Sequence, residues 1–310
     1  MTGMSKSFAI PFDDQTDGYV VTAKVTLDNA TGKPMYYTNN YRIQLSNATD
    51  YIPSDSNKTF VKKEDQVKSK QETEASKYSA EEKVTGLVTF TLTNQEFDAL
   101  KSVKPKFIIE GGAADNKEFK GTFRGNASFD FIYSAEQQQQ VASQPQFYPD
   151  RLTVDNLADK KMIFDKTGIN ETKQLGDVKV TLDGVQYTEI IPTEANKERY
   201  RNFGDSGIVA LTVKLKLDNQ SSQDISIYNI GSKLRIDENR GTVLSEGMAE
   251  PREPQDIKAG AQGEKYHVFM FRKDEFEIFK KFDLEFGPFY GADGKGLFKD
   301  ETVTFALPRS

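Results

Sequence analysis

Apolar and polar residues alternate most regularly between residues 207 and 228. A period of two is typical of a half-buried β-strand, because successive side chains of a strand point to opposite faces. The Asp218-Asn219 pair that follows the first run starts a polar turn, and a second apolar-alternating run ends at Tyr228. The stretch therefore predicts two strands and their connection. One face of the first strand carries Leu211, Val213, Leu215 and Leu217, and the other carries Thr212, Lys214 and Lys216.

The same pattern occurs earlier in the chain. The apolar set Val21, Ala23, Val25 and Leu27 aligns without a gap on Leu211, Val213, Leu215 and Leu217, and both runs end in Leu-Asp-Asn. Later blocks also align: Phe90-Thr-Leu92 with Phe269-Met-Phe271, and Glu96-Phe97 with Glu275-Phe276. Because every match keeps inward residues inward, we interpret the chain as two copies of one fold.

The fold prediction is all-β, with two tandem immunoglobulin-like β-sandwich domains that each contain a short helix. Short strands separated by Gly, Asn, Asp and Pro turns favour a sandwich, and the capping-box pattern from Thr93 to Glu96 predicts the helix of the first copy. The first domain spans residues 1–134 and the second spans 151–310. Residues 135–150 are rich in Gln and Pro and predict a semi-extended linker. In the second domain, Asp183-Gly184 predicts a tight hairpin turn.

A charged segment from Lys62 to Lys83 sits where the first copy is longer than the second. It contains six lysines, six acidic residues and few large apolar residues. Such a composition cannot support a core, so we expect a long, solvated and mobile loop.

Composition excludes several classes of function. The chain has no cysteine, so disulfides, thiolate metal sites and cysteine nucleophiles are excluded, and it has a single histidine, His267. A net charge of −6 with scattered Lys and Arg disfavours nucleic-acid binding. No apolar run is long enough to cross a membrane. The start lacks a secretory signal, so either the protein stays in the cytoplasm or its signal has been removed.

Few residues are candidates for chemistry. His267 has no second His or Cys to form a zinc site, and we expect it to be structural or on the surface. Asp13, Asp14 and Asp17 resemble part of a calcium loop, and residues 237–241 offer further oxygens, but neither run completes the ligand pattern. We therefore predict no catalytic residue, no metal site and no cofactor.

Aromatic residues offer the remaining candidates. Exposed aromatic rings can bind glycans or peptides, and Tyr36, Tyr37, Tyr41 and Tyr51 are the candidate ligand platform. Alternation sends Tyr36 and Tyr37 to opposite faces, so at least one of them is expected in the core. We expect a second aromatic set to pack the core beneath a short helix and strand: Phe276, Phe279, Phe282, Phe286 and Phe289.

The second copy resembles the immunoglobulin-like domains of unknown function found in lipoproteins of Gram-positive bacteria. Three stretches carry the resemblance: Ile208 to Asn219, Lys233 to Gly241, and Lys258-Ala-Gly-Ala-Gln-Gly-Glu264 before the strand Tyr266 to Phe271. The two-domain layout is similar to that of YcdA-type lipoproteins. The resemblance implies an extracytoplasmic protein anchored to the cell membrane by a lipidated cysteine that would precede these residues. It transfers no site.

We therefore expect a non-catalytic surface protein that binds a protein or a cell-envelope component. One alternative is a carbohydrate- or peptidoglycan-binding module, which a row of exposed tyrosines would favour. A second alternative is a metal-assisted hydrolase, which bound calcium or zinc would favour. If Met1 is the natural start, the predicted location is wrong.

Overall fold

The computed structural model describes residues 3–7, 16–55, 61–67, 74, 76–123, 125–251, 256–291 and 293–309. The chain divides into two compact units. The first comprises residues 1–144 with 154–156, and the second comprises residues 145–153 with 157–310. Within the described ranges, no helix has the length and apolarity that a bilayer crossing requires.

The first unit is built from two antiparallel sheets and a small ladder. One sheet has the strand order β1-β2-β7, the other has the order β5-β4-β8-β9, and β3 pairs with β6. The elements are β1 (Gly3–Ser7), β2 (Gly18–Asp28), β3 (Met35–Tyr36), β4 (Tyr41–Gln44), β5 (Tyr51–Pro53), β6 (Lys77–Tyr78), β7 (Lys83–Leu92), α1 (Asn94–Ser102), β8 (Lys106–Ile109), β9 (Ala127–Asp130) and α2 (Ala135–Ser143).

The predicted capping box starts helix α1. The Thr93 hydroxyl accepts from the Glu96 amide at 3.2 Å, and the Glu96 carboxylate accepts from the Thr93 amide at 2.7 Å. This exchange satisfies two amides that the first turn leaves without partners. Leu100 then points into the core and is fully buried. The helix prediction is confirmed.

The second unit is a larger sandwich. Its two antiparallel four-stranded sheets have the orders β10-β11-β12-β15 and β14-β13-β16-β19, and β17 pairs with β18. A short helix, α3 (Arg151–Val154), precedes them. The elements are β10 (Ala158–Leu175), β11 (Val178–Pro192), β12 (Ile208–Asn219), β13 (Ser232–Ile236), β14 (Gly241–Leu244), β15 (Gln262–Arg272), α4 (Lys273–Ile278), β16 (Phe282–Phe286), β17 (Phe289–Tyr290), β18 (Gly296–Leu297) and β19 (Val303–Leu307).

Side chains from both sheets of the second unit meet in one core. The predicted inward set of β12, from Leu211 to Leu217, is buried there. Of the predicted aromatic set, Phe276, Phe282, Phe286 and Phe289 are buried, and Phe279 packs against them. These aromatic rings pack the core beneath α4 and β16, as the sequence predicts. The all-β sandwich prediction is confirmed.

Three local predictions are wrong. Residues 225–228 do not form a strand paired with β12, because β12 lies between β11 and β15, and Ile227–Asn229 is a 3₁₀ turn. Asp183-Gly184 is not a hairpin turn but a bulge inside β11, and the turn lies between Leu175 and Val178. Residues 135–143 are not extended but form α2, since the Ser134 hydroxyl caps the helix through the Gln137 amide.

The charged segment from Lys62 to Lys83 is also more ordered than predicted. Its described part contains a 3₁₀ turn (Lys63–Asp65) and strand β6, and Gln66 forms a bridge to Leu87 of β7. Val67 and Tyr78, its few large apolar residues, are both buried. Gly86 permits this packing, because a Cβ atom there would collide with the Val67 backbone. The mobile-loop prediction is therefore wrong for residues 62–67 and 76–83, while residues 68–73 and 75 lie outside the described residues.

One asparagine in each unit makes a group of buried hydrogen bonds directly after the long central strand. We call each group the asparagine cluster of its unit. In the first unit, Asn29 Nδ2 donates to the carbonyls of Lys33 (2.8 Å), Tyr78 (3.2 Å) and Ser79 (2.7 Å). Its Oδ1 accepts from the amide (3.3 Å) and hydroxyl (2.7 Å) of Thr31. Oδ1 thus closes the turn onto Thr31, while Nδ2 also joins the turn to the segment of Tyr78 and Ser79.

Asn219 makes the same set of bonds in the second unit. Its Nδ2 donates to the carbonyls of Gln223 (2.8 Å), Ile257 (3.2 Å) and Lys258 (3.1 Å). Its Oδ1 accepts from the amide (3.1 Å) and hydroxyl (2.6 Å) of Ser221. The asparagine that ends each of the two predicted strands therefore has a structural role in its unit.

Candidate functional site

The single histidine lies in a buried polar cluster of the second unit. His267 is in β15, and its Nδ1 lies 2.8 Å from Glu250 Oε1, while Glu250 Oε2 accepts from Lys265 Nζ at 3.0 Å. The segment that carries Glu250 runs along the edge of β15, held by the Glu246 amide on the Val268 carbonyl. The His267 ring packs edge-on against Phe286. We call Glu250, Lys265 and His267 the His267 cluster.

Electrostatics assign a charge state to this cluster. Burial lowers the pKa of His267, and its hydrogen bond to Glu250 opposes this effect only in part. Burial alone would raise the pKa of Glu250, but the hydrogen bond from His267 and the ion pair with Lys265 lower it to about 2. At neutral pH the cluster therefore consists of a Glu250–Lys265 ion pair and a neutral His267 that donates through Nδ1.

This arrangement serves the fold. Both the carboxylate and Nδ1 are used in bonds inside the unit, and His267 is completely buried. Its Nε2 has no hydrogen-bond partner in the described part of the chain. No group of three or more His, Asp or Glu side chains that could hold a metal ion occurs among the described residues. His267 thus lies inside the unit and not on its surface.

The four candidate tyrosines do not form one surface. Tyr37 and Tyr41 are buried, and the Tyr37 hydroxyl donates to the Glu110 carbonyl at 2.7 Å. Tyr36 is half-buried. Tyr51 alone among the four is largely exposed, at 45%, and the Arg42 guanidinium lies 4.9 Å from its ring centre. A platform that includes Tyr37 and Tyr41 is wrong, because their rings fill the core.

A small crevice in the first unit lies beside these tyrosines. Asn39 lies in its wall, and the hydroxyls of Tyr41 (3.2 Å) and Tyr78 (2.5 Å) both lie within hydrogen-bond distance of Asn39 Oδ1. Burial raises the pKa of the Tyr41 hydroxyl well above its usual range, so it remains a neutral donor. The crevice volume is about 20 Å³, which holds about one water molecule.

The two candidate calcium-binding stretches do not form a metal site among the described residues. Asp13 and Asp14 lie outside the described residues, and Asp17 accepts from the Asn94 amide group at 2.9 Å. In the second run, Asp237 Oδ1 accepts from the amides of Lys280 (2.9 Å) and Lys281 (2.8 Å). These backbone bonds lower the pKa of Asp237 and use its carboxylate to join two loops.

A second buried ion pair was not predicted from the sequence. Asp150 and Lys160 are in direct contact in the second unit, and both side chains are fully buried. Asp150 Oδ1 also accepts from the Leu152 amide at 3.0 Å at the start of α3. Burial lowers the pKa of Lys160 to about 7, while the adjacent carboxylate favours its charged form. An Asp directly before Arg151-Leu152-Thr153 is the sequence signal that could have indicated a helix cap at Asp150.

One family model matches part of the chain. A family model described as a domain of unknown function (DUF5068) matches residues 1–134. The comparison with curated proteins gives no match.

Three solved structures are similar to parts of the chain. A functionally unknown protein from Listeria monocytogenes EGD-e is 13% identical, with a TM-score of 0.37, over 49% of this chain and 89% of that one. An uncharacterized β-sandwich protein from Clostridium difficile 630 is 10% identical, with a TM-score of 0.30, over 45% and 91%. A conserved hypothetical protein from Bacillus anthracis is 18% identical, with a TM-score of 0.30, over 40% and 92%.

Proposed function

We propose that the chain is a non-catalytic binding protein of the bacterial cell envelope, built from two copies of an immunoglobulin-like sandwich. The matching hydrogen-bond sets of Asn29 and Asn219 support the two-copy proposal. Strand registers support it as well: Val21 pairs with Phe90 across β2 and β7, and Leu211 pairs with Phe269 across β12 and β15. These are the residues that the sequence alignment places in equivalent positions.

The observation that carries the non-catalytic proposal is the use of His267 as a buried partner of Glu250. Hydrolysis by a Ser, His and Asp set would depend on this histidine, since the chain has no other. Its ring is inaccessible and its carboxylate partner is held by Lys265. A binding role needs accessible side chains instead, and the second unit presents Leu244 at 72% and Met248 at 60% exposure.

The proposed location is the outer face of a Gram-positive cell membrane, with attachment through a lipidated cysteine ahead of these residues. It is supported by the resemblance of residues 208–271 to lipoprotein domains. Fractionation of the source bacterium tests it. We expect the natural protein in the membrane fraction with a lipid-modified cysteine, and recovery from the cytosol would refute the location.

The binding role is tested by immobilising the full chain and exposing it to a chemically cross-linked envelope extract. We expect one protein or envelope component to be retained with and without EDTA. Retention that EDTA abolishes would favour the metal-assisted hydrolase. Elution by soluble peptidoglycan fragments, together with loss of binding in Tyr51→Ala, would favour the glycan module.

A further inference from the structure

Asp150 and Lys160 of the second unit are in direct contact at a site closed to solvent. Both side chains have 0% exposure, and the contact joins Asp150 Oδ2 to Lys160 Nζ. Apart from this contact, neither atom has a hydrogen-bond partner among the described residues. The buried Glu250–Lys265 pair differs, because the Glu250 carboxylate bonds both to Lys265 at 3.0 Å and to His267 at 2.8 Å. Asp150 Oδ2 and Lys160 Nζ therefore form an isolated pair of acid and amine.

Apolar side chains surround this pair. On β10, Lys160 lies directly across from Ile190 of β11, and Ile190 shares an apolar cluster with Leu152, two residues after Asp150. The Phe147 ring centre lies 5.5 Å from Lys160 Nζ. Since charges are unfavourable in such surroundings, the neutral acid and the neutral amine are favoured relative to the ion pair. Burial accordingly lowers the pKa of Lys160 to about 7, so a large fraction of its amine is neutral at neutral pH.

The two oxygens of the Asp150 carboxyl group have different surroundings. Oδ1 accepts from the Leu152 amide (3.0 Å), the Thr153 amide (3.3 Å) and the Thr153 hydroxyl (3.4 Å). Donors fixed on a carboxyl oxygen stabilise the negative charge that develops there when a nucleophile adds to the carbon. Oδ1 is thus held as the carbonyl oxygen, and Oδ2 lies beside the Lys160 amine as the leaving oxygen.

We propose that Asp150 and Lys160 condense to an intramolecular isopeptide bond between Asp150 Cγ and Lys160 Nζ. Proton transfer within the pair gives a neutral amine and a neutral acid, and Nζ then adds to Cγ. The Cγ–Oδ2 bond breaks, and Oδ2 leaves as water with its own proton and one proton from Nζ. The product is an uncharged amide, and the reaction needs no further reactant. The bond would fix the segment ahead of α3 covalently to β10, and it is independent of the proposed binding function.

The intact mass of the full chain, measured under denaturing conditions, tests this bond. We expect the chain to be lighter than its sequence by the mass of one water molecule. Trypsin does not cleave after a lysine whose amine forms an amide. Digestion should therefore give a branched peptide, in which the fragment that ends at Arg151 is joined through Asp150 to Lys160 of the fragment 152–161. A full sequence mass with ordinary cleavage after Lys160 would overturn the proposal, since an ordinary ion pair gives that result.

Three variants separate this bond from other losses of water. Asp150→Ala and Lys160→Arg should each have the full mass of their sequence, because each lacks one partner of the amide. Lys161→Arg, at the exposed neighbouring position, is the matched control and should keep the deficit of one water. A deficit that persists in Lys160→Arg would contradict the proposal. The branched peptide is sought in the parent chain, so a variant that fails to fold does not decide the outcome.

Discussion

Substitution of Asn29 and of Asn219 tests whether each asparagine cluster stabilises its own unit. Asn219→Ala removes three donor contacts to carbonyls and two contacts at Oδ1, all in a position with 0% exposure. A hydrogen bond contributes about 1 kcal/mol net, and each buried group left without a partner costs about 1–3 kcal/mol. Some of the freed carbonyls would gain water after the substitution. We therefore expect Asn219→Ala to lower the free energy of unfolding of the second unit by about 3–5 kcal/mol.

Asn29→Ala should act in the same way on the first unit, with a slightly smaller loss of about 2–4 kcal/mol. The smaller value follows because Asn29 is 8% exposed, so water can replace part of the lost bonding. The neighbouring Gln220 provides the control, because it is exposed and its side chain bonds to the partly exposed Asp218, while its backbone bond to Asp177 is kept in an Ala variant. Its replacement by Ala should change stability by less than about 0.5 kcal/mol.

Urea unfolding of the full chain, followed by circular dichroism and by amide exchange of each unit, measures these effects. Each asparagine variant should destabilise its own unit and leave exchange in the core of the other unit unchanged. If Asn219→Ala lowers the free energy of unfolding by less than about 1 kcal/mol, the asparagine cluster contributes less to stability than its hydrogen bonds indicate. Opposite outcomes at the two asparagines would contradict the two-copy proposal.

Three further predictions concern the buried groups and the close glycine contacts. Since the pKa of His267 is lower when folded than its ordinary value of 6.5, the unfolded chain binds the proton first, and stability should fall as the pH drops below about 6.5. Urea midpoints at several pH values should show a shallower fall for His267→Gln, and an identical slope would refute this. Gly86→Ala should displace Val67 and cost about 1–3 kcal/mol, with faster proteolysis of residues 61–67 as the readout; unchanged cleavage would contradict it. Gly184→Ala should collide with the Tyr148 hydroxyl, and its destabilisation should be smaller in a Tyr148→Ala background; equal losses in both backgrounds would exclude the contact.

The carboxylate of Glu250 adds a second acid transition. Its pKa is about 2 when folded, below the ordinary value of 4.5, so its contribution is present above pH 4.5 and is lost as the pH falls towards 2. Glu250→Gln should remove this transition in acid titrations followed by near-ultraviolet circular dichroism. Persistence of the transition in the variant would assign it to other carboxylates.

The parts of the fold that depend on alternation could be predicted from the sequence. The inward faces of β2 and β12, the capping box of α1 and the aromatic core around Phe282 all follow from local pattern. Strand partners could not be predicted in the same way, because pairing depends on tertiary contacts. The long hairpin of β10 and β11 is the main example. Strand β10 is mostly polar, and Asp183-Gly184 lies inside β11, so the sequence predicted shorter strands with a turn at Asp183-Gly184.

The candidate site was harder to predict for a related reason. The partners of His267 lie on different segments, and Glu250 is brought to β15 only by the fold. The order of the charged segment from Lys62 to Lys83 was also mispredicted. Its two large apolar residues, Val67 and Tyr78, are buried and pack the segment against the core. The tyrosine platform failed because Tyr37 and Tyr41 pack inward while bonding their hydroxyls to backbone or Asn39 oxygens, which gives them the polar partners that a buried tyrosine needs.

Site-specific photo-cross-linking in an envelope extract tests the binding account most directly. The full chain would carry a photoreactive residue in place of Leu244, which is 72% exposed, with the exposed Lys216 of β12 as the control position. We predict that the Leu244 position cross-links to one protein and that the Lys216 position does not. Cross-links to peptidoglycan fragments, no cross-link from Leu244, or equal cross-linking from both positions would contradict the account.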